Sequence, residues 1–96
     1  MSQTAPAFEW KDHGRFVELH PVRLGWLVLW GRHEDAGRRR VLLGNRTYPD
    51  LEGARGRVAD AVAELTGRQG LVAEAVATLD RTALPPHHPE PLPDPL

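Results

Sequence analysis

Hydrophobic and polar residues alternate along the first half of the chain and recur at helical spacing along the second. Phe8 and Trp10 alternate with Glu9 and Lys11, and Phe16-Val17-Glu18-Leu19 follows a short loop, Asp12-His13-Gly14. Two alternating runs about a loop ending in glycine predict a hairpin, with Gly14 supplying the positive φ. Pro21 is expected to break the second run. Trp26-Leu27-Val28-Leu29-Trp30, set between Gly25 and Gly31, is the strongest strand signal in the chain. A polar loop at residues 33–37 leads into Arg39-Arg40-Val41-Leu42-Leu43, which Gly44 ends, and this pair reads as a second hairpin. Because every connection is short, the runs predict an antiparallel meander of three or four strands.

The period then lengthens to about 3.6. Leu51, Ala54, Val58, Ala61, Val62 and Leu65 fall on one helical stripe. Thr47 and Asp50 match a capping box with Asp in place of Glu, Pro49 suits a first turn, and Gly67 suits the C-cap. Arg57 with Asp60 and Glu64 with Arg68 are spaced to pair on the outer face. Gly53 and Gly56 weaken this helix unless they allow close approach to the sheet. After Gly70 a second stripe holds Leu71, Val72, Ala75, Val76 and Leu79, until Pro85-Pro86 ends it. The expected architecture is α+β: β-β-β(-β)-α-α over residues 7–84, after a disordered N-terminus at 1–6. Residues 85–96 contain six prolines and are expected to form a flexible or extended tail.

The central strand is apolar on both sides. Trp26, Val28 and Trp30 point one way, Leu27 and Leu29 the other. A sheet covered by helices on one side should have one polar face. The second apolar face therefore needs the second helix or a bend of the sheet, a second copy of the chain, or a ligand. A partner on the sheet would use Trp26, Val28 and Trp30 as its contact.

Composition narrows the field of functions. The 96 residues allow one small domain, and 12 basic against 13 acidic residues exclude a polybasic tail. With no cysteine, disulfides, thiolate metal sites and thiol nucleophiles are excluded. No apolar run approaches the ~20 residues of a membrane span. MSQTAPAFEW lacks a basic region followed by an apolar stretch, so a signal peptide is not expected and a cytoplasmic protein is. Charge is uneven. From residue 13 to 46, seven arginines oppose Glu18, Glu34 and Asp35 for a formal +4, which leaves −5 on the remainder. Arginine for phosphates and tryptophan for stacking are the ingredients of a nucleic-acid surface, here Arg32, Arg38, Arg39, Arg40 and Arg46 with Trp26 and Trp30.

Val41-Leu42-Leu43-Gly44 leading into a helix with Ala54, Asp60 and Ala61 resembles the end of the AP2-type DNA-binding domain. The resemblance covers about half the chain. It implies a three-stranded meander with one helix that reads DNA through arginines and tryptophans of the sheet. Val58-Ala59-Asp60 stands where that family has a Tyr-Asp pair, and the spacing from glycine to helix is longer here. Gly53-Ala54-Arg55-Gly56 matches a Gly-x-x-Gly clamp, but it lies inside the helical stripe.

Catalysis finds little support. Ser2 is the only serine, and no Ser-His-Asp set can be assembled. His13 and His33 fall in predicted turns, His20 precedes Pro21, and His87 and His88 lie in the tail, without helical metal-ligand spacing. Neither a catalytic residue, a metal nor a cofactor is expected. Pro86-His87-His88-Pro89 is a P-x-x-P string without a basic anchor. The chain reads as a non-enzymatic binding module that meets another protein or a second copy of itself. Nucleic-acid binding is the alternative and a small enzyme the third reading.

Overall fold

The structure, a computed structural model, describes residues 5–87. Strands β1 (Phe8–Asp12), β2 (Arg15–Val22), β3 (Gly25–Glu34) and β4 (Arg39–Tyr48) form one antiparallel sheet in that spatial order. Helices α1 (Leu51–Thr66) and α2 (Gln69–Arg81) follow. This is the expected α+β meander, with four strands. The sheet packs chiefly against α1, through β2 and β3, and α2 packs on α1.

The first hairpin turns on two residues, not three. His13 and Gly14 both take positive φ, 46° and 80°, and Asp12 already pairs with Arg15. Positive φ at both central positions matches the right-handed twist of the flanking strands. Pro21 does not end β2, which runs on to Val22 with Pro21 opposite Trp26. The reason is local: β1 stops opposite Leu19, so β2 is an edge strand at Pro21, where proline is admitted. Gly44 likewise fails to end β4, because Trp30 needs the space above it.

That need belongs to a β-bulge. Trp30 pairs with Gly44 and Gly31 with Leu42, so Leu43 is an extra residue in β4. A Cβ on Gly44 would overlap the Trp30 indole, and one on Gly31 would overlap the Val41 carbonyl oxygen. Glycine at both positions lets the two strands close around the irregularity.

Paired residues of adjacent strands share a face. Phe8, Trp10, Val17, Leu19, Trp26 and Val28 form the helix-side face. They are buried with Ala54, Val58, Ala61, Val62, Ala75 and Leu79 of the helices. Trp30, Tyr48, Leu65, Leu71, Val72 and Leu84 pack around this core. The α1 stripe thus forms the contact it predicts, apart from Leu51, which is exposed.

The cap of α1 is Asp50, whose Oδ1 accepts from the Gly53 N–H at 2.7 Å. Thr47 cannot take that role because it is held in β4, opposite Leu27. Gly67 closes the helix at φ 66°, and the Arg15 guanidinium donates to the Leu65 carbonyl at 2.8 Å. Arg57 reaches past Asp60 to Glu64 at 2.7 Å, and Arg55 grips Asp80 of α2 with two 2.7 Å bonds. Helix α2 starts at Gln69, with no side-chain cap, and ends at Arg81, before the prolines. His87, in the segment expected to be a free tail, rests on the body: its Nε2 lies 2.8 Å from the carbonyls of Val22 and Gly25, and its ring stands edge-on to Trp26.

Candidate functional site on the open face of the sheet

Both helices lie on one side, so the other side of the sheet is the open one. Phe16, Glu18 and His20 of β2 face it, with Leu27, Leu29 and His33 of β3 and Arg40 and Leu42 of β4. Leu27 and Leu29 are half-buried, while Leu42 and Leu43 are 51% and 49% exposed. Phe16 is fully buried here, although no helix covers it. Its cover is polar: the Arg40 guanidinium lies 4.3 Å over the ring and the His33 ring packs at 5.1 Å. Arginine stems and planar heads cover aromatic surface well. Part of the second apolar face is therefore closed by an arginine of the same chain.

Glu18 is the one buried charged residue among those described. Its Oε1 accepts from His20 Nε2 at 2.9 Å and from an Arg40 N–H at 2.9 Å. Burial alone would raise the Glu18 carboxyl. The hydrogen bonds and charges of His20 and Arg40 outweigh burial and hold it below the ordinary carboxylate range. An ionised Glu18 only accepts, so His20 Nε2 carries the proton of this bond. Glu9 stands directly opposite Glu18 on β1 and meets Lys11 at 3.5 Å. Glu9, Glu18, His20 and Arg40 line a cavity of about 490 Å³ together with Leu29, Ala5 and Pro6. The cluster offers the spare guanidinium N–H groups of Arg40, an imidazole and two carboxylates, which is equipment for hydrogen-bonded recognition.

Of the residues singled out in the sequence, Arg40 alone joins this cluster. Trp26 and Val28 are buried against the helices. Trp30 is half-buried between Gly44 and Arg57, whose guanidinium lies 4.1 Å from the ring centre. The tryptophan face is thus the core face, and the face left for a partner carries the leucines. The arginines also divide. Arg32, Arg39 and Arg46 sit on the helix-side face, Arg40 on the open face and Arg38 in the turn. Arg32 pairs with Glu34 at 2.8 Å, and Arg46 lies over Tyr48. Reading the chain residue by residue missed Glu18 and His20. Their signal was the spacing of two on a strand, which puts a carboxylate and an imidazole on one face.

No known family, curated protein or solved structure matches the chain. A fourth strand and a second helix separate its fold from the AP2-type arrangement. Among the described residues no helix is long and apolar enough to cross a membrane, and no group of three or more His, Asp or Glu is placed to hold a metal.

Proposed function

We propose that this chain is a small non-enzymatic binding module that associates with a second copy of itself through its sheet, along the free edge at β4. The observation that carries this reading is the pair Leu42 and Leu43, about half exposed on edge strand β4. Adjacent apolar side chains left in water on a sheet edge favour association. A second copy fits because like edges can satisfy each other's backbone groups. Light scattering at micromolar concentration should give about twice the 10.7 kDa of the chain. Leu42→Glu should return the monomer mass with the fold intact, whereas Trp30→Glu should unfold the chain. A monomer mass at every concentration overturns the reading.

Nucleic acid is the second reading, favoured by the exposed Arg38, Arg39 and Arg40 at the tip of the β3–β4 hairpin. Binding through them must weaken steeply as salt rises. Fluorescence anisotropy with single- and double-stranded DNA and RNA at low salt tests it, and no binding there removes it.

A further inference from the structure

Resting on that self-association, we infer that two copies join edge to edge through β4, in an antiparallel register that sets Arg39 opposite Tyr48 and Leu42 opposite Asn45 of the second copy. β4 has β3 on one side only, and its ten residues include no proline. The other edge, β1, is only five residues long, which discourages pairing.

Symmetry fixes what can meet. Two adjacent antiparallel copies of one strand are related by a twofold axis normal to the sheet, so opposed residues must come from the same face. A regular ten-residue strand fails this test at full overlap. Its first residue would meet its last, and the two would point to opposite faces. The bulge changes the phase. With Leu43 as the extra residue, Arg39, Val41, Gly44, Arg46 and Tyr48 share the helix-side face, and Arg40, Leu42, Asn45 and Thr47 share the open face.

Full overlap then matches faces along the strand. Arg39 meets Tyr48 and Val41 meets Arg46 on one side, while Arg40 meets Thr47 and Leu42 meets Asn45 on the other. No arginine meets an arginine. Sliding the pair by two positions would set Arg39 against Arg46, a like-charge opposition that costs stability. The bulge that seats Trp30 over Gly44 thereby also makes β4 complementary to itself. The product is an eight-stranded sheet with all four helices on one side. Its continuous open face carries two Glu18–His20–Arg40 clusters.

The test uses the absence of native cysteine. Leu42→Cys and Asn45→Cys are made singly, at exposed positions that should leave the fold unchanged. Mixed and mildly oxidised, they should form a covalent dimer many times faster than either alone. Opposed residues lie within the ~7 Å reach of a disulfide, whereas like positions are offset by two paired steps, since Leu43 is unpaired, which is roughly 7 Å along the strand on top of the ~5 Å between strands. Val41→Cys with Arg46→Cys, opposed in the same register, is the second pair and serves if either first variant fails to fold. A dimer by light scattering without preferential cross-linking of either pair overturns the register alone. A monomer throughout overturns both the register and the self-association.

Discussion

The indole of Trp30 occupies the space that a side chain on Gly44 would need, and Arg57 lies over the same ring at 4.1 Å. The relationship explains why a glycine interrupts β4 without ending it. Gly44→Ala must push the indole out of its place or part the two strands. Overpacking of this kind costs roughly 1–3 kcal/mol. Denaturant unfolding should register that loss, together with a change in tryptophan emission. An unchanged midpoint would mean that the ring is free to move aside.

Gly56 is the opposite case. It lies in the interior of α1, is exposed, and has nothing within 4 Å of the position a Cβ would take. Gly56→Ala should stabilise the chain by up to about 1 kcal/mol, through helix propensity alone. Thermal unfolding followed by circular dichroism checks it, and a lower melting temperature would contradict the placement of Gly56 on the outer face. Gly53 is not equivalent, since a Cβ there would press on the Tyr48 ring at 3.0 Å.

What the sequence made legible was local. Hairpins, helical stripes and the Gly67 cap follow from periods and turn residues within a few positions of each other, and each stands in the structure. The identity of the covered face was not local. Trp26, Val28 and Trp30 and the opposing Leu27 and Leu29 were equally apolar, and only the side on which the chain returns after Tyr48 decides between them. Arg40 and Glu18 are 22 residues apart and meet because β3 lies between their strands. The bulge that fixes where Arg40 falls on β4 leaves no mark in hydrophobic periodicity beyond an unexplained Gly44. Pro21 misled for a related reason: whether it faces a neighbour depends on where β1 stops.

Glu18 should give the fold a specific acid sensitivity. Its carboxyl is held below the ordinary Glu value of 4.5, so the folded state takes up that proton less readily than the unfolded one. Its contribution is complete above 4.5 and is lost as pH falls through the lower folded value. Glu18→Gln should therefore destabilise the chain at pH 7, and the gap from wild type should close as pH drops below the carboxylate range. Denaturant unfolding of both proteins across that range measures the gap. A gap that stays constant would mean that Glu18 contributes by shape and not by charge.

Arg40 should matter twice, once to Glu18 and once to Phe16. Arg40→Met keeps an apolar cover over the ring but leaves the buried carboxylate with His20 as its remaining donor. Leaving a buried acceptor short of a partner costs roughly 1–3 kcal/mol. The double variant with Glu18→Gln should lose much less than the sum of the two single losses, because the second change removes the charge that the first had stranded. Additive losses in that cycle would show that the 2.9 Å contact carries no coupling.

His87 should act as a fastener for the chain after α2. An imidazole N–H at Nε2 lies within 2.8 Å of two carbonyls, those of Val22 and Gly25, at the turn between β2 and β3. Its ring stands edge-on to Trp26, 4.9 Å between centroids, against an indole that is 5% exposed. A shared N–H of this kind contributes about 0.5–1.5 kcal/mol net, and the aromatic contact adds a similar amount. A domain of this size moves by roughly 4–8 °C per kcal/mol. His87→Ala should therefore lower the melting temperature by several degrees and shift tryptophan emission to the red, as water reaches the edge of Trp26. Unchanged emission and melting temperature would mean that the segment after Leu84 contributes nothing to the body. The open end of the β2–β3 turn would then stand as a second exposed surface beside the free edge of β4.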